Sequence, residues 1–390
     1  MTERNLDVAI VGGGVIGSAT AFFLRELGYT GSVTVFEKDP SYQFASTARS
    51  AASIRQQFTT PVSTRMSQFS FGFLEQLGER FGPDGEIALH RGAYLLLADK
   101  AREAMLRSCH ETFVRLGAAI AWLDQDALAA RFPWLRTDDL VGGTLGLAGE
   151  GWFDAYMLLR VLRRQARALG VTYVDKEVVS FEREGGRITG LCCADGEAFG
   201  CGIVVNAAGP AAGRVAALAG CALPVEPRKR TMFVIQAPLD GNGMPFVFDT
   251  SGVALRPEGD RFICSALPAE ERDPHPGDDY EPDHYLFEEA VWPALAHRVP
   301  ALEQLRLQSA WAGHYDMNLF DHNGVVGFHP EVSNLIFANG FSGHGVMHAP
   351  ATGRGVAELV LHGRYVSLDL GPLGYGRIAA GEPIVEALVY

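Results

Sequence analysis

Val8-Ala-Ile-Val-Gly12-Gly13-Gly14-Val-Ile-Gly17-Ser-Ala-Thr-Ala-Phe-Phe-Leu24, followed by Val33-Thr-Val-Phe-Glu37, is the stretch that decides the fold. An apolar run ends in a glycine turn, an amphipathic helix follows, and a second apolar run closes on a carboxylate twenty residues after Gly17. Gly12 permits the tight turn, Gly14 lets backbone approach a pyrophosphate held at the helix N-terminus, and Gly17 lets helix and strand pack closely. Glu37 is placed to accept hydrogen bonds from adenosine ribose hydroxyls, which disfavours a 2′-phosphate and so NADP. A glycine fingerprint alone is weak, since such turns occur in many loops that bind nothing; here strand, helix, strand and acid follow in the required order. The stretch reads as a dinucleotide-binding βαβ unit, and by itself does not separate FAD from NAD.

The chain has 390 residues, 47% of them hydrophobic, enough for two domains sharing a substantial core. A net charge of −13, without basic runs or interleaved aromatics, argues against nucleic acid or an anionic membrane as partner. An anionic substrate must therefore meet locally placed arginines. No apolar run reaches the ~20 residues that span a bilayer. With the first strand beginning by Asp7, no room is left for a signal or transit peptide, and the expected location is the cytoplasm. Six cysteines without C-x-x-C spacing point to reduced thiols and no metal site.

Beyond Glu37, the small-residue segment 44–58 suits backbone lying close to a flat or phosphorylated ligand. Helices are expected over 61–77, 101–117, 125–131 and 284–298, and Asp154 is a credible N-cap for another over 155–169. Short strands are expected at 93–98 and between 171 and 206, the last running into Ala207-Ala-Gly209, a second place where backbone can approach a cofactor. Residues 223–318 look like antiparallel β, with separate strands at 223–225 and 231–235, and 268–283 reads as a surface loop. Strand, glycine turn and helix recur over 335–361. These pieces predict a nucleotide domain from residues 1–85, 150–222 and 319–390, and a substrate domain from 86–149 and 223–318.

Four motifs together are specific: the N-terminal fingerprint with Glu37, Val204-Val-Asn-Ala-Ala-Gly209, Trp311-Ala-Gly313, and Phe341-Ser-Gly-His-Gly345 leading into Ala349-Pro-Ala-Thr-Gly353. Over essentially its whole length the chain resembles the D-amino-acid oxidase, glycine oxidase and sarcosine oxidase family of FAD-dependent amine oxidases. Residues 311–330 look nearest to the branch holding the FAD-dependent oxidoreductase domain protein of mitochondrial complex I assembly. The resemblance implies an α/β plus α+β fold, with a Rossmann-like FAD-binding domain of the GR2/DAO type and an inserted antiparallel-sheet substrate domain.

It also implies where FAD would lie. Gly12, Gly14, Val15, Ile16, Gly17, Glu37 and Lys38 would hold the ADP half, with Val178 beside the adenine. Ser46, Thr47, Arg49, Ser50, Ala51 and Ala52 would line the pyrophosphate and ring, near Ala208 and Gly209. Gly343, His344, Gly345, Val346 and Met347 would offer N–H groups and a helix dipole to the N1–C2=O edge of the flavin, stabilising its reduced anion. Gly313 stands where covalent family members carry a cysteine, so non-covalent FAD is expected.

By the same resemblance Arg55 would bind the substrate carboxylate, its planar fork suited to that group. The second carboxylate contact of relatives falls on Met347 or on Tyr315, and Tyr315 reads as a substrate contact or a core aromatic. His344 reads either as a protonated imidazole stabilising reduced flavin or superoxide, or as a packing residue. His348, placed beside the substrate, has the ordinary-partner reading in front, as do His314 and His322. Arg228-Lys229-Arg230 reads as a solvated hairpin end or as an arm that reaches the pocket and binds a second carboxylate, and Arg256 and Arg261 share those alternatives. The lysine that assists oxygen reduction in sarcosine oxidases has no counterpart in Gly259-Asp-Arg261-Phe-Ile263.

The implied reaction is oxidation of an amino acid carrying an N–CH2–COO⁻ group, such as glycine, sarcosine or an iminodiacetate-like amine. The imine hydrolyses to an amine plus glyoxylate or aldehyde, and O2 is reduced to H2O2. The alternatives are a dehydrogenase that hands electrons to a quinone or other carrier, and a flavoprotein assembly factor with little catalysis. The oligomeric state is left open.

Overall fold

The computed structural model describes residues 4–388. β1 (Arg4–Val11) pairs in parallel with β2 (Val33–Glu37) on one side and with Ala198–Asn206 on the other. Between them α1 (Val15–Glu26) buries Ala19, Phe22, Phe23 and Leu24 against the sheet, the apolar stripe that its sequence spacing encodes. The sheet has eight strands, running Val178–Glu184, Arg187–Cys193, Ala198–Asn206, β1, β2 and Thr172–Asp175, with Leu335–Asn339 and Val325–Phe328 joined beside Ala198–Asn206. Strands from three distant stretches of chain thus share one Rossmann-like α/β sheet.

The helix Gly345–His362 crosses α1 so closely that a Cβ on Gly353 would lie 2.5 Å from the Ala19 carbonyl carbon. The next helix, α2 (Pro61–Phe81), packs on the same partner and passes the expected end at Leu77. It stops instead at Gly82, whose φ of +58° suits glycine, ahead of Pro83. In the helix Ala155–Ala168, the Asp154 carboxylate accepts the Met157 N–H at 2.8 Å, the cap read from the sequence.

A second eight-stranded sheet runs in the order Arg306–Asn318, Val225–Gln236, Arg261–Ala266, Val253–Glu258, Phe246–Phe248, Tyr94–Ala98, Gly142–Gly146, Ile120–Asp124. Its neighbours are antiparallel except Phe246–Phe248 with Tyr94–Ala98, a parallel pair that joins two distant chain segments. The two short strands expected at 223–225 and 231–235 are one, Val225–Gln236, paired along its length with Arg306–Asn318. Arg228-Lys229-Arg230 is therefore mid-strand and not a hairpin end. The acidic loop 268–283 neutralises it: Asp273 grips Arg230 at 2.7 Å, and Asp279 and Asp283 hold Lys229 at 2.6 and 2.9 Å. The helix expected over 284–298 is interrupted by a π turn at Phe287–Val291, next to Pro293, which has no N–H to continue the α ladder. Among the described residues no helix is long and apolar enough to cross a membrane.

Candidate functional site

Residues of both sheets enclose a cavity of about 1030 Å³. Its wall brings together Gly12, Gly14, Val15, Ile16, Glu37 and Lys38 from the first βαβ unit, and Ser46, Thr47, Arg49, Ser50, Ala51 and Ala52 from the segment after it. Ala208, Gly209, Gly313, Tyr315 and the turn Gly343, His344, Gly345, Val346 and Met347 face the same space, as does Arg55. Gly17, Val178 and His348 are off the wall. Gly17 serves packing, since a Cβ there would sit 1.9 Å from the Gly12 carbonyl oxygen. Val178 is buried with Ala9 and Phe36, and its neighbour Glu177 reaches the cavity instead. His348 lies behind the wall, 3.1 Å from the Ser67 hydroxyl.

At the nucleotide end Gly12 has φ +100°, and a Cβ would meet the Ala207 carbonyl oxygen at 2.3 Å, so the first and second glycine turns touch. The Glu37 carboxylate accepts the N–H groups of Gly13 and Asp39, each at 2.9 Å, and so braces the turn beside which a ribose would lie. Burial pushes that carboxyl above its usual range, opposed by these two bonds. The Thr47 hydroxyl accepts the Val15 N–H at 3.1 Å. Arg49 ties its segment to the second sheet by donating to the Ala312 carbonyl at 2.6 Å, while its own carbonyl accepts from the Trp311 indole at 2.9 Å. A Cβ on Gly313 would press within 2.8 Å of the Arg49 Cβ, so a bare Cα suits that position.

Across the cavity, Asp316 accepts the Gly340 N–H at 2.6 Å and holds the turn that precedes the helix Gly345–His362. Burial raises the Asp316 carboxyl to about 6. Gly343 at φ +97° lies against the Tyr315 ring, 3.1 Å from where its Cβ would be. Arg230 covers Tyr315 with its guanidinium carbon 4.6 Å from the ring centre and also reaches the wall. Both arms of the Arg230 fork are taken by Asp273, at 2.7 and 2.8 Å. Burial first, then the neighbouring His348 ring and the Arg55 charge, hold the His344 imidazole well below its usual value, which favours the uncharged ring of the two readings.

Arg55 is 4% exposed and stacks 4.0 Å over Phe58. Its fork donates to the backbone carbonyls of Gln57 and Leu388, the second a contact from a segment the sequence reading left unassigned. Arg256, on the strand Val253–Glu258 of the second sheet, donates to the Ala51 carbonyl at 2.8 Å, and Arg261 is exposed. Three residues escaped sequence reasoning: Asp316, Glu150 and Leu388. Of these only Glu150 had a local signal, its flanking glycines.

Two helix N-termini, at Gly14 and His344, meet this cavity without a cap from the N-cap residue itself; at the first the Thr47 hydroxyl takes the Val15 N–H, and the remaining N–H groups and the positive dipole ends suit an anionic or carbonyl-bearing ligand. The buried Nε2 of His344 has no hydrogen-bond partner among the described residues. A long cavity with a phosphate-suited turn and a polar edge fits FAD. The family model described as FAD dependent oxidoreductase (DAO) matches residues 7–359. FAD-dependent oxidoreductase domain-containing protein 1 of Xenopus laevis is 39% identical, over 99% of this chain and 85% of its own. The glycine oxidase of Geobacillus kaustophilus (strain HTA426) is 30% identical, over 97% and 98% of the two chains. The crystal structure of L-proline dehydrogenase from P. horikoshii has a TM-score of 0.87 at 26% identity, covering 98% of this chain and all, 100%, of that one. The chain belongs to the FAD-dependent oxidoreductase (DAO) family, with FAD as its cofactor.

Proposed function

We propose that the protein oxidises a small amino acid bearing an N–CH2–COO⁻ group to the imine, which water hydrolyses to an amine plus glyoxylate or aldehyde. The observation that carries this reading is Arg55, a buried guanidinium on the wall of the same cavity as Tyr315 and the His344 turn. The likeness to a glycine oxidase supports the amine class. When bound, FAD takes up the two electrons removed from the substrate and returns them to an acceptor, which we propose is O2, giving H2O2.

The chain's own residues then have limited tasks. A substrate carboxylate replaces the Leu388 carbonyl on Arg55, because it sets a full negative charge and two acceptor oxygens against the guanidinium fork where the carbonyl sets one neutral oxygen. Tyr315 closes the other side, fixed by Arg230 on one face and Gly343 on the other. Tyr94, Phe246 and Phe248, buried and stacked on one another, offer an apolar wall to the N-substituent and keep water from the reacting C–H bond. No side-chain base is needed if the amine binds neutral, and the neutral His344 adds no positive charge against which a cationic amine would be repelled. In this scheme Arg55→Ala raises KM for sarcosine or glycine about a hundredfold through the lost pair of charge-assisted bonds, with FAD retained. An unchanged KM in a flavin-loaded Arg55→Ala protein contradicts the assignment.

A second reading, transfer to a carrier instead of O2, is favoured by the strand Arg261–Ala266. Ile263, Cys264 and Ser265 present no cation to the cavity there, and Arg261 points to solvent. Substrate-reduced protein that reoxidises slowly in air and rapidly with a soluble quinone selects that reading.

A further inference from the structure

Gly149-Glu150-Gly151 reads in the sequence as turn punctuation, yet in the structure it surrounds one of the least exposed carboxylates of the chain. Glu150 is 1% exposed and lies on the short strand Glu150–Trp152, paired with Ser53–Ile54 on one side and His90–Gly92 on the other. Among the described residues no arginine or lysine bonds it. Its four acceptor contacts all come from the segment that carries Arg55 or from the strand facing it. The Gln56 N–H donates at 2.8 Å, the Tyr94 N–H at 2.9 Å, and the Gln57 side-chain amide at 3.3 and 3.2 Å to the two oxygens.

Three glycines clear the space for this arrangement. A Cβ on Gly146 would lie 1.8 Å from a Glu150 carboxylate oxygen, one on Gly149 would lie 1.8 Å from the Gln56 amide nitrogen, and one on Gly151 would lie 2.1 Å from the His90 carbonyl oxygen. The Gln57 side chain is oriented in turn by the Thr144 hydroxyl, which donates to its carbonyl oxygen at 2.6 Å. The Gln57 backbone carbonyl then accepts from Arg55. Thr144 and Glu150 thus both hold the Gln57 side chain, and the Gln57 backbone in turn bonds the guanidinium on the cavity wall.

We infer that Glu150 is a positioning residue, a buried carboxylate that fixes the Arg55–Gln57 segment and with it the direction of the Arg55 fork. Burying a carboxylate without a directly bonded cation is unfavourable, but an apolar side chain in its place would leave the buried Gln56 and Tyr94 N–H groups and the Gln57 amide without an acceptor. What the carboxylate adds is four acceptor contacts converging on one short segment; burial pushes its acid up to about 7, and these bonds and the nearby Arg55 charge oppose that rise. The inference rests on the proposed role of Arg55 toward a substrate carboxylate.

The test uses flavin-loaded protein and propionate, a carboxylate that has no amine to oxidise, with binding read from the perturbed flavin absorbance. Arg55→Ala serves as the reference. Glu150→Gln keeps the shape but turns one acceptor into a donor facing the Tyr94 and Gln57 N–H groups. Propionate binding in it weakens about tenfold, and KM for the amine substrate rises in step while kcat stays within about twofold. Thr144→Val, a milder change one contact further out, weakens propionate binding about threefold by the same route. If Arg55→Ala weakens propionate binding but Glu150→Gln and Thr144→Val bind it as the unaltered protein does, the positioning role is overturned and the Arg55 reading stands. If Glu150→Gln sheds FAD or fails to fold while Thr144→Val binds normally, Glu150 is structural only, which also overturns it. If Arg55→Ala itself binds propionate normally, the parent reading fails and this inference fails with it.

Discussion

At Gly17 a methyl group would meet the Gly12 carbonyl oxygen at 1.9 Å, inside the turn that approaches the pyrophosphate. Backbone cannot yield as a flexible side chain can, so Gly17→Ala forces the turn away from the helix, at a cost of about 1–3 kcal/mol. The expected outcome is a lower denaturant midpoint together with FAD loss on dilution; a protein that keeps both removes Gly17 from the account. This residue was legible because a glycine fingerprint encodes backbone geometry locally. Arg55 and the His344 turn were legible only through the resemblance to amine oxidases, and the charge state of His344 was not, since burial by Phe58, Phe341 and His348 comes from distant segments. Glu150 stayed hidden for the same reason, and Arg230 was left between two readings: a buried acid and a mid-strand arginine look like a turn and a hairpin end until Gln56, Tyr94, Asp273 and Tyr315 are brought to them.

The helix Gly345–His362 links the site to the core, through Gly353 against α1 and His348 against Ser67 of α2. Burial lowers His348 to about 3, from 6.5 when exposed. Below pH 6.5 the unfolded chain binds a proton at this residue that the folded chain refuses, so acid weakens the fold through it by about 1.4 kcal/mol per pH unit, while nothing is lost above that pH. The variant His348→Gln lacks this titration. Its stability deficit against the unaltered protein should therefore shrink by about 2 kcal/mol between pH 7 and pH 5 in urea unfolding. A deficit that is the same at both pH values would show that His348 is accessible to protons in the folded state. Element types were largely readable from apolar spacing and caps, as Asp154 illustrates. Strand joins and helix ends were not: Val225–Gln236 is continuous because Arg306–Asn318 pairs with all of it, a partner some eighty residues away.

On the scale of the whole molecule, distant chain segments are tied together at the site. Glu386 is fully buried, 0% exposed, and accepts from the N–H and hydroxyl groups of both Thr59 and Thr60 at 2.8 to 3.2 Å, just beyond Arg55. Its neighbour Leu388 packs with Tyr94, Phe246 and Phe248 behind the cavity wall and lends its carbonyl to Arg55. No pattern in 383–388 announces this, because a short segment without periodicity acquires its role only from what it docks on. Glu386→Ala strands the N–H groups of Thr59, Thr60 and Leu388, while the two hydroxyls keep the Val385 carbonyl and the Ser63 hydroxyl as partners; each buried group left unmatched costs about 1–3 kcal/mol. It should lower the thermal midpoint and weaken carboxylate binding together; a normal midpoint would mean that water replaces the carboxylate without loss.

The central claim, that this FAD protein oxidises amines of the N–CH2–COO⁻ class, is most directly tested by anaerobic reduction of the bound flavin, followed by its absorbance. Glycine, sarcosine and iminodiacetate are set against D-alanine, L-proline and the same amines lacking a carboxylate. Bleaching by members of the first set, with little by amines that lack the carboxylate, is the predicted result. Flavin that stays oxidised with every member of the first set, or that is bleached equally well without the carboxylate, would contradict it.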